Sequence, residues 1–232
     1  RYVEDGLSVD PRDPYLLGLK GMLVARESPI EAESLFVRSL EAGEMSNDFL
    51  VQYGLLLMNA GRAGEAVRAL EKAAAAHPQE RETRAYLAEA LGRAGRPGEA
   101  ESVLRDLIAE RDEPALRGAL ARVLFHEADY AKALELYRGL EETPETMDRI
   151  AMCLLNLEKI EEALSWSRRA VAAKPDWPQG MINLAVVLAA GGRIAEAREL
   201  LERVVSLDPE NATAKVNLER LRAAADSAGE RR

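Results

Sequence analysis

PQGMINLAVVLAAGGRIAEARELLERVVSLDPEN, residues 178–211, reads as two helices broken at Gly191-Gly192. Met181, Leu184, Val187 and Leu188 carry the apolar side of the first helix. Ala197, Leu200, Leu201, Val204 and Val205 carry that of the second, which Asp208-Pro209 ends. Spacings of three and four draw an apolar stripe down one side of each helix. Two facing stripes make a helical hairpin, and a lone hairpin is too small to be stable, so it must stack on something.

The rest of the chain supplies more hairpins. Counting Pro178 as position 1, a period near 34 residues runs almost from end to end. Position 20 is Ala32, Ala66, Ala100, Ala133, Ala163 and Ala197. Position 8 is Lys20, Gly54, Ala88, Ala121, Ala151 and Ala185, small in five of six units. Position 11 is Leu23, Leu57, Leu91, Leu124, Leu154 and Leu188, and position 7 is Leu19, Tyr53, Leu87, Leu120, Ile150 and Leu184. Position 24 is Phe36, Leu70, Leu104, Tyr137, Ser167 and Leu201, and Pro78, Pro175 and Pro209 share position 32. Small residues at 8 and 20 let paired helices approach closely. Large ones at 7, 11 and 24 fill the space between neighbours, and proline at 32 stops the second helix.

These columns resemble an array of tetratricopeptide repeats over residues 13–211. Pentatricopeptide repeats, which bind RNA, and Sel1-like repeats, with a longer period, fit less well: the first is disfavoured by the acid balance, the second by the spacing. The resemblance implies an all-α fold, a right-handed α-solenoid of stacked antiparallel helix pairs. Six repeats are expected at 13–46, 47–80, 81–113, 114–143, 144–177 and 178–211. Residues 1–12 read as the remnant second helix of a truncated repeat, 212–225 as a C-terminal capping helix and 226–232 as a mobile tail. Val216, Leu218 and Leu221 are expected on the packed side of the capping helix.

Local signals refine the units. Asp13-Pro14 is an N-cap acid followed by proline at the first helical position, and Ser28 with Glu31 forms a capping-box pattern. Lys20 breaks the small column between Gly18 and Gly21. The fourth unit is four residues short, with a tighter turn expected at Glu141–Thr143. Trp166 is expected to fill the gap left by Ser167.

Net charge −9 argues against a nucleic-acid partner, which needs a basic face to replace counterions. No run of 18 apolar residues exists, so membrane insertion is not expected. Cytoplasm and periplasm are both compatible. His77 and His126 stand apart from any metal-ligand set, Cys153 reads as a buried hydrophobe, and no phosphate loop or nucleophile–base pair is visible. No cofactor and no enzymatic activity are expected of this chain.

The resemblance places a partner-binding groove along the first helices. Leu17, Gly21, Met58 and Gly118 fall at groove positions, and the residues singled out for contact are Gln52, Leu55, Tyr86, Glu89, Arg122, Phe125, His126, Arg149, Asn156, Asn183 and Asn217. Arg122, Phe125 and His126 share one helical face, and aromatic and arginine side chains are common interface anchors. The family's carboxylate clamp for chaperone tails needs lysine, asparagine and arginine at set positions of three successive units, and no three units here supply it. The family's asparagine ladder is partial: Asn183 and Asn217 occupy its position, Gln52 is similar, and Arg149 adds a charge. The expected function is a scaffold or adaptor for a protein or peptide segment. The alternative is a recruiting arm of a larger enzyme or assembly truncated before residue 1. Self-association through Tyr2 and Leu7 is a third possibility.

Overall fold

A computed structural model describes residues 2–43 and 45–229, with side chains placed up to residue 223. Every regular element among them is helical. The chain forms two compact units, 1–123 and 124–232, whose boundary falls inside a helix. The first holds α1 (Tyr2–Val9), α2 (Pro14–Val24), α3 (Pro29–Ala42), α4 (Asn47–Asn59), α5 (Ala63–Ala76), α6 (Arg81–Arg93), α7 (Pro97–Glu110) and most of α8 (Pro114–His126). The second holds the end of α8, then α9 (Tyr130–Arg138), α10 (Pro144–Asn156), α11 (Ile160–Ala173), α12 (Pro178–Ala190), α13 (Ile194–Leu207) and α14 (Ala212–Gly229). The architecture is an all-α helical repeat solenoid.

Its core follows from side-chain size. All six position-20 alanines are wholly buried, and Gly54, Ala88, Ala121, Ala151 and Ala185 at position 8 are buried too. A Cβ on Gly54 would stand 2.7 Å from the Leu70 side chain, so α4 and α5 already touch as closely as carbon allows. Around these crossings Leu57, Leu70, Leu104, Ile150, Leu154 and Leu201 are almost wholly buried, each stabilising the stack by roughly 1.5–3 kcal/mol.

The turns inside the hairpins repeat one device. Gly61, Gly95, Ala128, Glu158 and Gly192 all adopt φ between 61° and 75°. The next residue's N–H reaches back 2.9 Å to the carbonyl of Leu57, Leu91, Leu124, Leu154 or Leu188. This is a Schellman C-cap, which satisfies carbonyls that the helix end leaves open. Arg62, Arg96 and Arg193 follow the cap and each gives a 2.6 Å Nε bond to the glutamate three residues on.

The first hairpin departs from the expected register. Gly21, not Lys20, meets the partner helix: a Cβ there would lie 3.1 Å from the Phe36 ring and 3.3 Å from the Ala32 carbonyl oxygen. Leu23 is 63% exposed, and Lys20 is half-buried, its ammonium 3.0 Å from Glu4 and 3.9 Å from Glu31. α2 stops early, at Val24, the link 25–28 has no left-handed residue, and Gly21 precedes Ala32 by 11 residues where Gly54 precedes Ala66 by 12, so α2 slides one place relative to α3. Asp13 caps α2 through a 2.8 Å bond from Leu16 N–H, whereas the Ser28 side chain makes no capping bond. The expected capping box is therefore absent.

Three further readings are corrected. The missing residues of the fourth hairpin come from the helix itself: α9 has 9 residues where α11 has 14, and the following link, 139–143, is not tightened. Ser167 fills its own column, wholly buried, while Trp166 stays half-exposed with the Arg169 guanidinium 4.3 Å above its ring. On α14 the packed residues are Ala214 and Leu218; Val216 is 44% exposed. The helix continues through Asp226 to Gly229, and the rest of the expected tail, 230–232, lies outside the described residues.

Ala128 and Glu158 hold a backbone conformation that disfavours any side chain. Ala128→Gly and Glu158→Gly are each expected to stabilise the protein by about 0.5–1 kcal/mol, read from urea unfolding, and Gly95→Ala to destabilise it by a similar amount.

Candidate partner-binding site

Packing commits one stripe of each first helix to the core and frees the opposite one. Gln52, Glu89, Arg122, His126, Arg149 and Asn156 are exposed there, and Leu55, Tyr86, Phe125, Asn183 and Asn217 are half-buried. Leu17, Met58, Gly21 and Gly118, read as groove positions, are buried instead. Buried in this way, none of them offers a surface.

In the first unit, the Tyr86 hydroxyl donates 2.8 Å to Glu82 on the same face of α6, which pushes its own proton loss to higher pH. Arg93 donates 2.6 Å to Glu89 and 3.4 Å to the Met58 carbonyl. Glu89 is thereby neutralised locally. Gln52 and Arg122 make no hydrogen bond or ion pair among the described residues. In the second unit, Phe125 meets the Tyr130 ring edge-on at 5.2 Å and lies 6.0 Å from the exposed His126 ring. Asn156 turns its amide onto the Met152 carbonyl of its own helix at 2.8 Å.

On the second unit's stripe, a polar chain joins α10 and α12. Asn183 donates 2.8 Å to Asp148 Oδ2 and accepts a 2.9 Å bond from Gln179. Asp148 is 4% exposed, and its Oδ1 has no hydrogen-bond partner among the described residues. Burial, opposed by the Asn183 bond and the neighbouring Arg149 charge, pushes its carboxyl up to about 6. Sequence reading missed this residue, yet a signal was there. Position 5 reads Leu17, Val51, Ala85, Gly118, Asp148, Ile182 and Val216, and only one of these is charged. Arg149 makes no direct hydrogen bond or ion pair, so its guanidinium is available.

Tetratricopeptide repeat models match residues 57–123, 144–176 and 178–203, together more than half of the chain. The chain is a tetratricopeptide repeat protein. A tetratricopeptide repeat protein from Parabacteroides merdae has the same fold, with a TM-score of 0.75 at 13% identity over 94% of this chain and 89% of that one. The human protein O-mannosyl-transferase TMTC1 is 28% identical over 200 residues, 82% of this chain and 22% of its own. Heat shock protein STI1 of Saccharomyces cerevisiae is 28% identical over 102 residues, 42% of this chain and 17% of its own. The tetratricopeptide chain thus spans about a fifth of the curated relatives it matches. It is a repeat scaffold of the kind that binds protein partners. No described helix is long and apolar enough to cross a membrane, and the described residues contain no group of three or more potential metal ligands.

Asp148 gives the site a pH dependence of definite sign. Its folded pKa, about 6, lies above the ordinary 3.8, so the neutral acid is the form that folding favours. The stability it contributes is complete below the ordinary value and is lost as pH rises through about 6. Asp148→Asn is expected to be more stable than the parent at pH 7.5, by up to about 3 kcal/mol, with the gap closing towards pH 4. Thermal unfolding of both proteins across that range checks it.

Proposed function

We propose that this tetratricopeptide repeat chain is a scaffold or adaptor that captures an extended segment of another polypeptide on the outer face of its first helices, and that it has no catalytic activity of its own. The observation that carries this reading is the face of α10 and α12, where an unpaired guanidinium stands one residue from a bonded carboxamide chain. Asn183 uses one N–H and one oxygen lone pair internally and keeps a second of each. A carboxamide with both can accept from and donate to a peptide backbone without reading its side chains. Arg149 beside it adds a charge-assisted bond to an acidic group, and Val186, 37% exposed, supplies apolar contact on the same helix. The chain's net charge of −9 disfavours nucleic acid as the partner.

A second reading is favoured by the match to TMTC1: a partner- or substrate-recruiting arm of a larger enzyme. The sequence of the whole gene separates the two. A transferase domain in the same chain supports the arm, and repeats alone support the adaptor. Self-association through the first helix is a third reading, for which Tyr2 is 78% exposed and Leu7 half-buried. A monomer in sedimentation at high protein concentration removes it.

The adaptor reading is tested with a partner recovered by pull-down from the source cell and identified by mass spectrometry. Arg149→Ala with Asn183→Ala is expected to weaken its affinity at least about tenfold, the loss that follows from removing roughly 1.4 kcal/mol of contact. Unchanged affinity moves the site elsewhere.

A further inference from the structure

Asp148 is both a buried charge that costs stability and the inner end of a hydrogen-bond chain reaching the surface at Gln179. Its surroundings leave Asn183 as its only described hydrogen-bond donor. On its own helix, Arg149 favours the carboxylate, and Glu145 opposes it while bonded to Lys174 at 2.7 Å. Facing it, α12 contains no charged residue at all. On α11, Arg169 is bonded to Glu142 and Arg168 to Glu196, and on α9 Arg138 is bonded to Glu162. The imidazole of His126 stands exposed beside Phe125.

A carboxylate can only accept hydrogen bonds. While Asp148 is ionised, Asn183 must therefore turn its NH2 inward and its oxygen towards the Gln179 amide, as observed at 2.8 and 2.9 Å. Gln179, exposed, then keeps its oxygen and its second N–H, in a fixed arrangement, for any partner. Once Asp148 is protonated its hydroxyl can donate, and the inward end of the Asn183 carboxamide can be oxygen instead. Both amides downstream are then free to reverse.

We propose that Asp148 is a positioning residue for the partner-binding face: it sets the orientation of Asn183, and through it of Gln179, and so the order of donor and acceptor offered to an extended polypeptide backbone. Backbone N–H and C=O groups alternate with a direction, so a fixed donor–acceptor order favours one chain direction of the bound segment. Acidification releases that order. The proposal rests on the adaptor reading for its purpose, but its physical content is a property of the free protein.

The side-chain amide resonances of Asn183 and Gln179 report it in the full, 15N-labelled chain without any partner. Between roughly pH 4.5 and 8 both pairs are expected to shift together with one midpoint near 6. In Asp148→Asn that shared transition is expected to disappear. Arg149→Ala, which alters an exposed side chain, provides a variant whose folding is not at stake: loss of the neighbouring cation is expected to raise the midpoint. Amides that do not titrate, two separate midpoints, a midpoint in the ordinary carboxylate range, or a midpoint unmoved by Arg149→Ala would each overturn the relay. A relay that titrates as expected in a protein whose partner ignores Arg149→Ala with Asn183→Ala would leave the relay standing and remove the adaptor site.

Discussion

Everything in this structure depends on how closely two helices can cross. Helix axes in contact lie about 8–10 Å apart, and the short end of that range is open only where the facing side chains are no larger than methyl. Ala32, Ala66, Ala100, Ala133, Ala163 and Ala197 meet that condition and are wholly buried, and Gly21, Gly54, Ala88, Ala151 and Ala185 on the first helices are buried as well. Close crossing pushes the large side chains outward from the hairpin, where they meet the next one. A hairpin so built cannot cover its own leucines, and stacking follows from that. The Schellman turns add regularity by fixing the angle at which each second helix leaves the first, and they do so even where Ala128 and Glu158 must strain to provide it.

The same packing decides where function can reside. A first helix spends its buried stripe on its own partner and on the neighbouring helix, which leaves the remaining stripe under no packing constraint. Polar and charged residues there vary from unit to unit, as Gln52, Tyr86, Arg122, Arg149 and Asn183 do. Asp148 is the exception, because it stands at a position filled elsewhere by small or apolar residues and is 4% exposed. A buried charge is costly unless paired and hydrogen-bonded, and this one has a single described donor. Its cost is local to the face where Arg149, Gln179 and Asn183 gather.

The fold was legible in the sequence because its determinant is size at fixed intervals, and size is written directly in residue identity. The alanine column alone gives the period, the pairing and the core. What periodicity does not record is slippage. In the first hairpin the two crossing residues, Gly21 and Ala32, are one residue closer in sequence than Gly54 and Ala66, so an alignment from Ala32 puts Lys20 and Leu23 in the core in place of Gly21. Likewise the length of the fourth unit suggests a lost loop at 141–143, whereas α9 itself ends early. Ser28 occupies the cap position by pattern, but its side chain makes no capping bond. Of the candidate site, the exposed stripe was legible and its internal wiring was not. The bond between Asp148 and Asn183 joins residues from successive first helices, and nothing local to either residue announces the other.

The central claim is that methyl-sized crossings hold the stack together. It is tested most directly by urea unfolding of Ala66→Leu against Ala75→Leu, two equal changes on α5, one at a wholly buried crossing and one exposed. The account predicts a loss of about 1–3 kcal/mol for Ala66→Leu and a change within about 0.5 kcal/mol for Ala75→Leu. Equal stability of the two variants would contradict it.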